Sequence, residues 1–232
     1  GEITGKTIVS IPSIYILART PKIERILISM NSDREKIVVG LTGGIACGKS
    51  SALSRFADLG WSVISADLLA GEILASDRSV QIQIRQRWGN DIINSSGSID
   101  KAAIARIVFN EELERKWLEG ILHPIIRSQW ILFVQSCPSP KCMIELPLLF
   151  ENNLQSHFTW TISLVAPTPM ILKRLQSRGL SRNESESRMD SQLSMPQKVA
   201  MSDFVLWGGG AMEFLTHQVQ QLDRTLSPRS IN

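Results

Sequence analysis

The sequence predicts an α/β protein, with short strands alternating with helices in an open sheet. Three observations predict it. The 232-residue chain carries five apolar runs of strand length: Ile37 to Leu41, Trp61 to Ser65, Cys142 to Leu146, Trp160 to Val165 and Phe204 to Leu206. Stretches of helical periodicity separate them. The first run passes through a glycine turn, Gly43 to Ser50, into an amphipathic segment, Ala52 to Leu59, and that turn fits G-x-x-x-x-G-K-[ST].

The glycine turn carries the clearest chemistry. Glycines let backbone N–H groups close on phosphate oxygens, and the helix that follows offers unpaired N–H groups and its positive dipole end. Lys49 can reach outer phosphates, and the Ser50 hydroxyl can ligate Mg²⁺. The run Gly43, Gly44, Ile45, Ala46, Cys47, Gly48, Lys49, Ser50 and Ser51 is therefore the candidate ATP site. The loop names a nucleotide and leaves the reaction open.

Bulk properties narrow the class. Apolar content of 43% and charged content of 20% are those of a soluble globular protein. A net charge of +3 excludes a strong duplex binder and suits anionic small substrates. Three cysteines, Cys47, Cys137 and Cys142, make no disulfide framework or zinc spacing, which points to a reduced, cytoplasmic setting. The chain is expected to work as a monomer or weak homo-oligomer, without nucleic acid or membrane. The apolar run Ile8 to Ala18 contains Pro12 and is too short to span a bilayer.

Residues 1–35 are expected to stand outside the folded domain, which would start near Met30. They read as an appended extension or an overlong translation start, with a targeting leader as the lesser option. The domain itself is expected over 36–225, with 226–232 a frayed tail.

After the first helix, Gly60 ends the turn and Trp61 to Ser65 forms the second strand. Asp67 follows at that strand's carboxyl end, where open α/β sheets bind ligands. It could equally cap a helix over Leu68 to Leu74. Residues 76–138 read as a helical lobe: Val80 to Trp88, a helix within Ser96 to Phe109, and a long one over Glu112 to Gln135 that Pro124 interrupts. Glu145 ends the third strand, as an acid beside Mg²⁺ would. A helix capped by Thr168 stops at Gly179. Arg174 and Arg178 share one stripe of it at i, i+4. Lys173 to Lys198 also carries Arg182 and Arg188, and reads as a mobile cover over phosphates. Its alternative is a solvated helix pair held by Glu184 and Arg188. Gly208 opens a tight glycine loop before a final helix over Ala211 to Leu222.

From Lys36 to Leu222 the chain resembles the dephospho-CoA kinase family. GLTGGIACGKS is similar to that family's GLTGGIGSGKS, and SADLLAGEIL to D-A-D-x-x-A-R. LEGILHPII resembles L-E-x-I-x-H-P-x-I, and IELPLLFEN resembles D-x-P-L-L-F-E. SIDKAAIARIVF, KRLQSR and RMDSQ match further motifs in the same order. The resemblance implies a P-loop fold with a parallel five-stranded core, a helical substrate lobe and a lid over about 173–198. It implies Mg·ATP phosphorylating the ribose 3′-hydroxyl of dephospho-CoA. Lys49 and Ser50 fall at the phosphate and Mg²⁺ positions, with Glu145 a second Mg²⁺ candidate. Asp67 falls at the proposed base. Arg178 is a candidate catalytic group, and Arg174, Arg178 and Gly208 are candidate ATP contacts. Asp67, Lys101, His123, Pro147, Leu148 and Arg188 are candidate substrate contacts. Ser65 and Gly71 stand where the family has aspartate and arginine, Ala46-Cys47 where it has Gly-Ser, and Gly208 where asparagine is common. Cys47 could be an oxidisable thiol or inert packing.

Overall fold

The computed structural model describes the backbone of residues 7–11 and 14–18 and the chain from 36 to 226; the expected start at Met30 and the tail after Leu226 lie outside the described residues. In chain order the elements are strands β1 (Thr7–Ile11), β2 (Ile14–Ala18) and β3 (Ile37–Gly43), helix α1 (Lys49–Asp58), strand β4 (Ser62–Ser65), helices α2 (Ala66–Ser76), α3 (Arg78–Trp88), α4 (Lys101–Asn110) and α5 (Glu112–Ser136), strands β5 (Lys141–Glu145) and β6 (Trp160–Val165), helices α6 (Thr168–Gln176), α7 (Arg182–Asp190) and α8 (Met195–Met201), strand β7 (Phe204–Trp207) and helix α9 (Met212–Leu226).

The strands run β1-β2-β7-β6-β3-β5-β4 across one sheet. The β7·β6, β6·β3 and β3·β5 ladders are parallel, as the alternation of strand and helix requires. Val39, Leu41, Met143, Ile162 and Leu164 are buried, the composition of central parallel strands covered on both faces. The first unit, up to Val63 and from Cys137 on, holds this sheet apart from the second half of β4. Its core joins those strands to Ala52 and Phe56 of α1, Ile171 and Leu175 of α6, and Leu215, Val219 and Leu222 of α9.

The edge of the sheet differs from the reading that set residues 1–35 apart. β1 and β2 form an antiparallel hairpin, and β2 pairs with β7 through Ile16 and Phe204. The apolar run Ile8 to Ala18 takes in β2 and all of β1 after Thr7.

The second unit, Ile64–Ser136, is helical. The lobe was expected over 76–138; the unit begins earlier because α2 packs on α5. Leu69, Ile73, Ile84, Ile104, Leu118, Leu122, Ile126 and Trp130 are its buried residues. Trp88 and Trp117 meet edge to face at 5.1 Å, and the Arg87 guanidinium lies 4.9 Å from the Trp117 ring centre. Asp77 and Asp100 cap α3 and α4 by accepting bonds from two backbone N–H groups each. Helix α5 continues through Pro124. The carbonyl that the ring crowds belongs to Gly120, which faces open space.

Candidate active site

The phosphate loop spans the end of β3 and the start of α1. Gly48 is the N-cap residue with φ 101°, a left-handed conformation that glycine adopts without strain, and no side chain caps the helix. The helix N-terminus therefore keeps its N–H groups and positive dipole end for an anion. The Lys49 ammonium donates to Gly44 O at 3.0 Å and Gly43 O at 3.4 Å, folded back along the loop. Ser50 is exposed at the first turn, and Ile45 and Ser51 are half-buried. Ala46 has φ 57°, so the residue in place of a glycine occupies backbone space that glycine favours. Cys47 is fully buried, and burial pushes its thiol up. Of the two readings left open for Cys47, packing is the one this environment supports.

Arg174 ties this loop to the last one. Its guanidinium donates to Ala46 O and to Gly208 O, each at 2.9 Å. Gly208 comes so close to the Cys47 carbonyl that any Cβ there would overlap it. Asparagine cannot occupy this backbone position without moving the loops apart. Arg178 is exposed in the turn after α6, which ends at Gln176 rather than at Gly179, so it and Arg174 do not share one helical stripe; Arg188 is half-buried on α7.

Beyond β5 the structure adds residues that the sequence left unassigned. Glu145 is buried at the strand's end, opposite Leu41 in the ladder. The Pro147 carbonyl accepts from Thr42 Oγ1 at 3.1 Å and from Lys198 Nζ at 2.7 Å. Lys198 also pairs with Glu151 at 2.9 Å, and Glu151 accepts from the Leu193 N–H at 2.9 Å. Leu148 is half-buried in the same turn. Lys198 was expected among the charges of a mobile cover. It is instead fully buried on α8, where its charge satisfies a carboxylate and a carbonyl. No compositional signal separates this lysine from the exposed cations around it. The Glu184 carboxylate bonds the Ser181 N–H and hydroxyl in a capping box, which holds its carboxyl below the usual range, and the Arg188 charge adds to that in the same direction. Arg182 and Glu186 also form an i, i+4 bridge on α7, at 2.9 Å.

The helical unit holds the remaining candidates. Ser65, not Asp67, is the N-cap of α2, and Asp67 is exposed in the first turn. An acid there is favoured by the helix dipole and keeps its carboxylate available to a ligand. Lys101 is the first residue of α4, and its ammonium stands 3.1 Å from where a Cβ on Gly71 would lie. His123 is half-buried on α5. Among the described residues no group of three or more His, Cys, Asp or Glu side chains could hold a metal ion, and no helix is long and apolar enough to cross a membrane. Ser50 and Glu145 offer hard oxygens, which suit Mg²⁺ when phosphates and waters complete its shell.

The family model for dephospho-CoA kinase matches residues 37–213. The chain belongs to the dephospho-CoA kinase family. The dephospho-CoA kinase of Shewanella oneidensis is 33% identical over 189 residues, covering 81% of this chain and 92% of that protein. The one from Thermosynechococcus vestitus is 34% identical over 185 residues, covering 79% and 91%. Among solved structures, dephospho-CoA kinase from Campylobacter jejuni superposes with a TM-score of 0.62 at 27% identity, over 82% of this chain and 96% of that one. TT1252 from Thermus thermophilus gives 0.71 at 27% identity, over 84% and 100%. The family match begins at Ile37, in β3, so β1 and β2 lie outside the matched region.

Proposed function

We propose that this chain transfers the γ-phosphoryl group of ATP to the ribose 3′-hydroxyl of dephospho-CoA, giving CoA and ADP. The observation that carries the reading is the family match over 37–213, which takes in the phosphate loop, Asp67, the Pro147 to Glu151 turn and the arginines in one register.

The loop from Gly43 to Ser51 holds the phosphates through backbone N–H groups, and Lys49 turns from the loop carbonyls to the outer phosphates. Ser50 and Glu145 would hold Mg²⁺, which would supply neutralisation of charge on the phosphate oxygens. Asp67 accepts a hydrogen bond from the attacking hydroxyl. A carboxylate is too weak a base to deprotonate a sugar alcohol early, and a loose transition state does not require it. Orientation and late proton acceptance suffice.

Arg174, Arg178 and Arg188 bind phosphate oxygens as parts of a cover over about 173–198 that excludes water as a competing acceptor. Arg178 meets the charge that develops on the transferred group. Arg174 has carbonyl partners that a phosphate would compete with. Lys101, standing over Gly71, supplies the cation that the arginine at that position would have carried. His123, Pro147 and Leu148 complete the substrate contacts, and Gly208 borders the nucleotide. The enzyme works in the cytoplasm as a monomer or weak homo-oligomer on small molecules alone.

An ADP-release assay of the purified chain, with and without dephospho-CoA, tests the reading. ADP release should depend on dephospho-CoA and should not be matched by nucleoside monophosphates. Release indifferent to the acceptor would overturn the assignment.

A further inference from the structure

We propose that Cys137 and Cys142 form a thiol–disulfide site that closes by exchange with a low-molecular-weight disulfide of the glutathione class. The two residues end the turn Cys137-Pro138-Ser139-Pro140-Lys141-Cys142, which enters β5. Their sulfurs are 2.6 Å apart, and both approach the Ser139 carbonyl, at 3.6 Å and 3.8 Å. The turn holds them there. Its two prolines fix their own φ angles. The Ser139 hydroxyl accepts from the Lys141 N–H at 3.2 Å, and its single proton has two acceptors within reach, Lys141 O at 3.0 Å and Gly60 O at 3.2 Å. The sulfurs therefore need no rearrangement of the strand to meet.

The two thiols differ. Cys137, at 8% exposure, is the more accessible, and the Lys36 ammonium lies 3.9 Å from its sulfur and 2.9 Å from its carbonyl. A cation is thus in place for charge that develops there during attack. Cys142 is fully buried, and burial, with the neighbouring Cys137, pushes its thiol up to about 12. Cys137 initiates and Cys142 resolves. The Cys137 thiolate attacks one sulfur of RSSR, the S–S bond breaks, and RS⁻ leaves and takes up the proton that Cys137 shed. Cys142 then attacks the Cys137 sulfur of the mixed disulfide. The second RS⁻ leaves with the Cys142 proton. Two protein thiols are oxidised, and RSSR is reduced to two RSH. Cys47 takes no part.

The reduced full chain, equilibrated in buffers from glutathione to glutathione disulfide, acid-quenched, alkylated with iodoacetamide and digested with trypsin, gives the test. Cleavage after Lys141 puts the two cysteines on separate peptides, 128–141 and 142–173. These should stay joined until a dithiol reductant is added. Cys142→Ala should arrest as a mixed disulfide at Cys137, and Cys137→Ala should give neither product. The closed parent should melt about 4–8 °C higher than the reduced one, because a short loop is cross-linked. Separately alkylated peptides in every buffer, or a parent that stops at the Cys137 mixed disulfide, would overturn the proposal. An unchanged or lowered melting point on closure would overturn the claim that the turn holds the sulfurs ready.

Discussion

Replacing Lys198 by methionine keeps most of the aliphatic stem and removes the charge. The ammonium is fully buried, 2.9 Å from Glu151 and 2.7 Å from the Pro147 carbonyl. Breaking a buried ion pair from one side costs about 3–5 kcal/mol, because the remaining charge stays buried without its partner. Glu151 keeps 18% of its side chain exposed and one backbone donor, so the low end applies, about 3 kcal/mol. For a domain of this size each kcal/mol moves the melting point by about 2–4 °C, so Lys198→Met should melt about 6–12 °C lower. Urea unfolding should show the same loss as a shift in midpoint at constant slope. The exposed Lys173→Met serves as control and should stay within about 0.5 kcal/mol of the parent. Adding Glu151→Gln to Lys198→Met should cost less than the sum of the two single changes. A Lys198→Met chain that melts with the parent but has a raised KM for ATP would refute this reasoning and return Lys198 to the nucleotide cover.

Three further outcomes are expected. Ala46→Gly removes a Cβ from a residue at φ 57° and should raise the melting point by about 2–4 °C, for about 1 kcal/mol of relieved strain, in a thermal scan. Asp67→Asn should lower kcat by about 10²–10⁴, with ATP affinity held within a few-fold by equilibrium binding; lost affinity at unchanged kcat would make Asp67 a binding residue. The Glu114 carboxyl is held at about 2 by hydrogen bonds from Arg87 and then Trp88, against an ordinary 4.5. Its folded value is depressed, so its contribution is full above about 4.5 and is lost as pH falls through about 2. Glu114→Gln should flatten that part of the acid-unfolding curve.

What the sequence disclosed follows from how local each signal is. The Gly43 to Ser50 loop was legible because glycine, lysine and serine at fixed offsets have few other uses after a strand. Strand β6 matches its apolar run residue for residue, and α3, α4 and α5 follow their periodicity within a few residues. Boundaries failed where capping chose between adjacent residues: Ser65 rather than Asp67 caps α2, and Pro167 rather than Thr168 precedes α6. Long-range pairings were not legible at all. Lys198 and Glu151 are far apart in sequence, and a lysine that will be buried looks like one that will not. Cys137 and Cys142 were read by their number and spacing, which say nothing of a turn folded tightly enough to bring two sulfurs together.

The hairpin of β1 and β2 also changes how the catalytic sheet ends. Without it, β7 would be the border strand on that side, with a row of backbone N–H and C=O groups open to any extended chain. Phe204 and Leu206 alternate inward along β7, and exposed Trp207 adds apolar surface at its end. Such a border is a template for self-association. Handling of a chain shortened to residue 36 should therefore be limited by colloidal behaviour before catalysis: light scattering that rises with concentration, and loss of material on warming, even where turnover per folded molecule is intact.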